Sequence, residues 1–130
     1  MDAPRVPISW GELIDKIAIL EIKNERLKSA TARSNVKKEL VLLHEIAATL
    51  PIRDEISGLR NELSTINAKL WDIEDKIRAK ESALKFDDEF IELARSVYKL
   101  NDLRAATKRM INEILSSDLK EEKSYANWKN

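Results

Sequence analysis

The chain has 130 residues, enough for one domain with a real core, and 23 basic against 23 acidic side chains leave its formal net charge at zero. That balance argues against duplex nucleic acid or a bare membrane surface as partner, both of which favour a basic excess. Cysteine is absent, which removes disulfides and thiolate metal sites, and two glycines and three prolines beside 43% hydrophobic and 35% charged residues describe long helices.

The opening "MDAPRVPI" lacks the apolar stretch of a signal peptide, and no uncharged run approaches a membrane span, so a cytoplasmic setting is the expectation. Residues 1–8 read as an extended segment, 9–116 as a single helical domain and 117–130 as a polar tail. The first helix is expected over about 9–28. Ser9 and Glu12 have capping-box spacing after Pro7, and Trp10, Leu13, Ile17, Leu20 and Leu27 line one side at 100° per residue. Ile14, Ala18 and Ile22 widen that arc, which predicts packing on more than one flank. "SATARSN" reads as a connection, followed by a helix over about 35–49 carrying Val36, Leu40, Leu43, Ala47 and Leu50. Pro51 disfavours the helical conformation at Leu50, and "PIRD" reads as a short turn.

The third helix has the clearest pattern. Ile56, Leu59, Leu63, Ile66, Leu70, Ile73 and Ile77 recur at alternating three and four residues, the spacing of a coiled-coil seam. A parallel copy in register would pair Lys69 with Glu74 and Lys76 with Glu81, while Gly58 weakens the first turn. "KFDDEF" interrupts, with Asp87 or Asp88 as N-cap. A fourth helix then runs to about residue 115 through Phe90, Leu93, Val97, Leu100, Ile111 and Ile114. Tyr125 and Trp128 are the tail residues able to dock. The expected fold is all-α: four helices, two of them long, in a helical bundle or coiled-coil hairpin.

The residues that break these stripes are the informative ones. Glu21 and Asn24 fall within the apolar arc of the first helix; Asn67, Trp71, Glu74 and Arg78 form a ridge beside the seam; Asn101, Arg104 and Lys108 sit near the centre of the fourth helix's apolar face. An inward charge must be paired, snorkelling or lining a wet cavity. One reading is a structural network, with Glu21 paired to Arg104 or Lys108 and the asparagines fixing register. The other is a ligand site, in which Asn101, Arg104 and Lys108 present donors to a small anion, Glu21 or Glu74 balances the charge, and Trp71 lies alongside.

No catalytic or metal constellation is complete, and no cofactor is implied. His44 stands without a second histidine or cysteine, and the serines have no base near them in sequence. The Glu-x-x-Glu then Glu-x-x-Asp magnesium template of helical nucleotide pyrophosphohydrolases is met only in its first half, by Glu89 and Glu92.

Two resemblances bear on function. "ELIDKIAILEIKNERLK" resembles the first helix of the all-helical chorismate mutases, with Glu25 and Arg26 near its end and Lys37 at a suitable distance downstream. The family's early arginine would fall near Ser9, and no Asp-x-x-Arg-Glu follows Lys37. More extensively, "ISWGELIDKIAILEIKNERL", "LWDIEDKIRAKE", "FIELARSVYKLNDLRAATKRMINEIL" and "EEKSY" resemble a family of short, all-helical bacterial proteins known only as a domain of unknown function. That resemblance implies a helical protein without an assigned activity, and carries over no functional residues. The expected role is a non-enzymatic interaction or oligomerisation module, self-associating as a homodimer or docking another protein. The alternative is a small-anion-binding protein or cofactor-free enzyme using Glu21, Trp71, Glu74, Asn101, Arg104 and Lys108.

Overall fold

The structure, a computed structural model, describes residues 1–51 and 53–129, which contain four helices and no strand: α1 (Trp10–Arg26), α2 (Ala30–Ala47), α3 (Asp54–Ser82) and α4 (Asp88–Ile114). α1 begins where the sequence places it. Ser9 is extended and its Oγ accepts the Glu12 N–H at 3.1 Å, satisfying one of the orphan donors of the first turn. Asp87 caps α4 in the same way through Phe90.

α2 starts five residues earlier than expected. Ser29 is its N-cap, accepting from Ala32 at 3.2 Å, so "SATARSN" is mostly the first turns of a helix. Those turns are exposed, so they lack the apolar spacing by which a helix is recognised, while alanine favours helix without any burial. Ile52, within the expected "PIRD" turn, lies outside the described residues. α3 runs through Gly58, which is exposed and has nothing near its missing side chain.

α1 is the centre of the molecule. One flank, Leu13, Ile17 and Leu20, packs on Val36 and Leu40 of α2. The other, Ile14 and Ala18, packs on Ile56, Leu59 and Leu63 of α3 and Ile111 of α4. The wide apolar arc thus serves two interfaces, as its width predicts. Enclosing a residue such as Ile17, Leu63 or Ile111 stabilises the fold by about 1.5–3 kcal/mol each. α2 packs on α1 alone, touching neither α3 nor α4.

α3 and α4 form a long antiparallel hairpin. α1 has 17 residues and α3 has 29, so α1 covers about 25 Å of a helix about 43 Å long. The seam of α3 divides accordingly. Ile56, Leu59, Leu63 and Ile66 are buried within the chain, whereas Leu70, Ile73 and Ile77 are only partly covered. A parallel α3–α3 coil using the whole seam is therefore not available.

At the hairpin tip, Leu84 closes α3 in the left-handed region (φ 54°), and the Lys85 N–H donates to the Lys80 carbonyl at 2.9 Å. That conformation costs a leucine about 1–2 kcal/mol, and 75% of Leu84 remains exposed, so no burial within the chain offsets it. After α4 the chain turns at Ser116 (φ 49°) and runs back along α4, with Glu121 on Lys108 and the Trp128 indole N–H donating to Asp102. Trp128 packs on Tyr98, while Tyr125 stays exposed.

Candidate functional site

The polar residues of the apolar faces separate into three groups. The innermost is centred on Asp15, whose side chain is fully enclosed between α1, α3 and α4. Its Oδ2 accepts from Arg104 Nε at 3.0 Å and also from Arg104 Nη2; its Oδ1 accepts from Asn67 Nδ2 at 2.8 Å. Lys108, also buried, reaches Glu12 at 3.0 Å and Glu121 of the tail at 2.6 Å, with Asp15 at 3.9 Å. The Asp15 hydrogen bonds hold the Arg104 guanidinium above its ordinary range. Burial pushes the Lys108 ammonium down, but its bonds to Glu121 and Glu12 outweigh this and leave its pKa raised. Glu121 is correspondingly lowered by Lys108.

Beside this cluster the start of α1 meets the end of α4 at very short range. The Gly11 N–H donates to Asn112 Oδ1 at 2.7 Å and the Trp10 N–H to Ser117 Oγ at 3.3 Å. A Cβ on Gly11 would lie 2.6 Å from the Lys108 carbonyl oxygen, so only glycine permits this approach. With Ser9 on Glu12, the N–H groups of the first three residues of α1 are all satisfied, two of them by residues a hundred positions away.

The second group is Glu21, on another flank of α1. It accepts from Arg60 at 2.8 Å and sits 3.2 Å from His44, tying α2 and α3 to α1. The expected pairing of Glu21 with Arg104 or Lys108 is not formed. Six residues separate Glu21 from Asp15, which rotates it about 240° around the helix and away from α4.

The third group lines a cleft of about 510 Å³ where the hairpin emerges from beneath α1. Ile19, Ile22, Leu70, Trp71 and Val97 form its apolar walls; Asn67, Glu74, Asp75, Arg78, Asn101 and Arg104 supply polar groups. Of the six expected ligand residues, the cleft brings together Trp71, Glu74, Asn101 and Arg104, while Lys108 and Glu21 lie elsewhere. Glu74 pairs with Arg78 at 3.3 Å, and Arg26 stands 6.0 Å over the Trp71 ring while bonding Asp72 at 2.7 Å. Arg104, turned toward Asp15, is already neutralised. The cleft is open and of mixed charge.

Asp15, Asn112, Ser117 and Glu121 were not marked by the sequence stripes. Asp15 carried a signal nonetheless: Ala18, Ile19 and Ile22 follow it at three, four and seven residues, which places it on a buried face.

A comparison with family models decides the affiliation: residues 4–129 match the model of a family of unknown function. The chain belongs to DUF6165. Comparison with curated proteins and with solved structures found no match. The match takes in every helix of the DUF6165 chain and the tail strap, so the Asp15 cluster, the cleft and the hairpin tip all lie within the family's domain. No helix of its described residues is long and apolar enough to cross a membrane.

Proposed function

We propose that this DUF6165 chain is a non-enzymatic interaction module that self-associates through the part of the α3–α4 hairpin lying beyond α1. The observation that carries this reading is the uneven cover of the α3 seam. Its first half is enclosed by α1 and α4; the last turn of α1 reaches Trp71 and Asp72 through Arg26, and Ile73 and Ile77 continue the same apolar repeat, only partly covered, beyond that contact. An apolar repeat sustained past the end of its third helix is the kind of surface that another helix covers. The small-anion alternative has less support, because Arg104 and Lys108 are neutralised by Asp15, Glu12 and Glu121 within the chain. A bacterial, cytoplasmic setting belongs to the same proposal; the first rests on the resemblance of the sequence blocks, the second on the sequence having no signal-peptide-like stretch at residues 1–8 and no run of membrane length.

Light scattering on the eluting full chain, over a range of loading concentrations, tests the proposal. A mass rising toward twice 14.9 kDa at high micromolar concentration is the expected result. A mass fixed at one chain throughout would count decisively against it.

A further inference from the structure

We infer that two copies of the chain associate with their hairpins antiparallel, so that the tip of each hairpin covers the cleft between α1 and the hairpin of the other. This rests on the self-association reading and specifies its geometry.

The tip and the cleft are complementary in three respects. The first is apolar content. Leu84 and Phe86 are 75% and 54% exposed, and Leu84 holds its exposed side chain in a backbone conformation that glycine or asparagine adopts more cheaply. Phe86 meets Phe90 edge-on at 5.2 Å, and Phe90 shares a helical stripe with Val97, Asn101 and Arg104, three residues that line the cleft. One helical stripe thus runs from the cleft to the tip along a single face of α4, polar at Asn101 and Arg104 and apolar at Val97 and Phe90. A strip with a projecting end and a recessed end is self-complementary when reversed, as a twofold interface requires.

The second is size. A cleft of about 510 Å³, walled by Ile19, Ile22, Leu70, Trp71 and Val97, has room for a leucine and a phenylalanine side chain together. The third is charge. Asp75 at the cleft and Lys85 at the tip are both exposed, and neither makes an ion pair among the described residues. Reversing one hairpin on the other brings Lys85 of each copy toward Asp75 of its partner. The twofold axis would then cross α3 near Lys80, and the distal halves of the two hairpins would form a four-helix bundle. In it the second copy occupies the place that α1 holds nearer the base.

The test compares dimerisation of full-length variants by concentration-dependent light scattering, with thermal unfolding as a check on the fold. Leu84→Gly is the first variant, because glycine accepts the left-handed backbone and the substitution leaves the fold intact. It is expected not to lower the unfolding midpoint at dilute, monomeric concentration while weakening dimerisation by roughly tenfold or more. Asp75→Lys and Lys85→Asp are each expected to weaken association, and the double exchange D75K/K85D to restore it, since both new pairs then have opposite sign. Rescue by the double exchange is specific to the antiparallel register. A wild-type chain that dimerises but ignores Leu84→Gly and shows no rescue overturns this arrangement and leaves the self-association reading standing. A wild-type chain that remains monomeric removes both.

Discussion

Asp15 is the ion-pair partner of Arg104, and its loss would leave that guanidinium without one while Lys108 keeps Glu12 and Glu121. Arg104 is half-buried and gives Asp15 two of its donors, while Lys108 is 5% exposed and lies 3.9 Å from the same carboxylate. Breaking a buried pair by removing one member costs about 3–5 kcal/mol, because the remaining charge cannot regain water. Asp15→Asn keeps the shape and removes the charge, so urea denaturation should show a stability loss of that order. A loss no larger than that of an exposed pair, such as Arg95 with Glu92, would mean that Arg104 finds water or a new partner. This residue also shows where reading the sequence stops. Glu21 attracts notice because Leu20 and Ile22 flank it, yet it ends at a half-exposed bridge to Arg60 and His44. Asp15 sits one flank away and becomes the hub. Residue types and spacing show that both interrupt an apolar arc. Which flank faces α4 depends on the docking of helices a hundred residues apart in sequence, which no local pattern encodes.

Elements, by contrast, were legible wherever burial or a cap imposed a pattern. Ser9 and Asp87 cap the helices that their positions announce, and the alternating seam of α3 runs unbroken to Ile77. The exposed start of α2 was lost because nothing packs on it. The tail strap has no helical period at all, and its attachment is electrostatic as well as aromatic. Glu121 has a lowered pKa because it accepts from Lys108, so its contribution is present above the ordinary glutamate value near 4.5 and disappears as pH falls through the lower folded value. Lys108 has the opposite sign: its contribution is complete below its ordinary value near 10.5 and declines only as pH rises beyond it. Acidification below about 4.5 should therefore loosen the tail first. Backbone amide shifts of residues 118–128 should move toward disordered values while those of α4 hold. Simultaneous change in both segments would show that the strap is not a separate unit.

At the scale of the whole molecule the four helices are unequally secured. α1 is packed on three partners, α3 and α4 hold each other along their length, and α2 touches α1 only. Val41, Leu42 and Ile46 of α2 remain exposed, so the helix buries little besides Val36 and Leu40. Regions with few buried contacts open at lower free energy than the core. Native-state hydrogen exchange should accordingly show α2 amides exchanging faster than those of α1 and of the first half of α3. Equal protection in all four helices would mean that the fold opens only as one unit.

The joint between Gly11 and Asn112 carries a consequence for how the protein is made. The helix at the centre is made before the three that pack on it, and the groups that complete its leading turn arrive with Asn112 and Ser117. At about 5–20 residues per second, roughly 5–20 s of synthesis separate the two. Early in that interval, before α3 is made, α2 is the only other helix of the fold that can pack on α1, on the Leu13, Ile17 and Leu20 flank, while Ile14 and Ala18 wait for α3 and then α4. The weakly held second helix is thus the first cover that the chain order makes available to the hydrophobic centre.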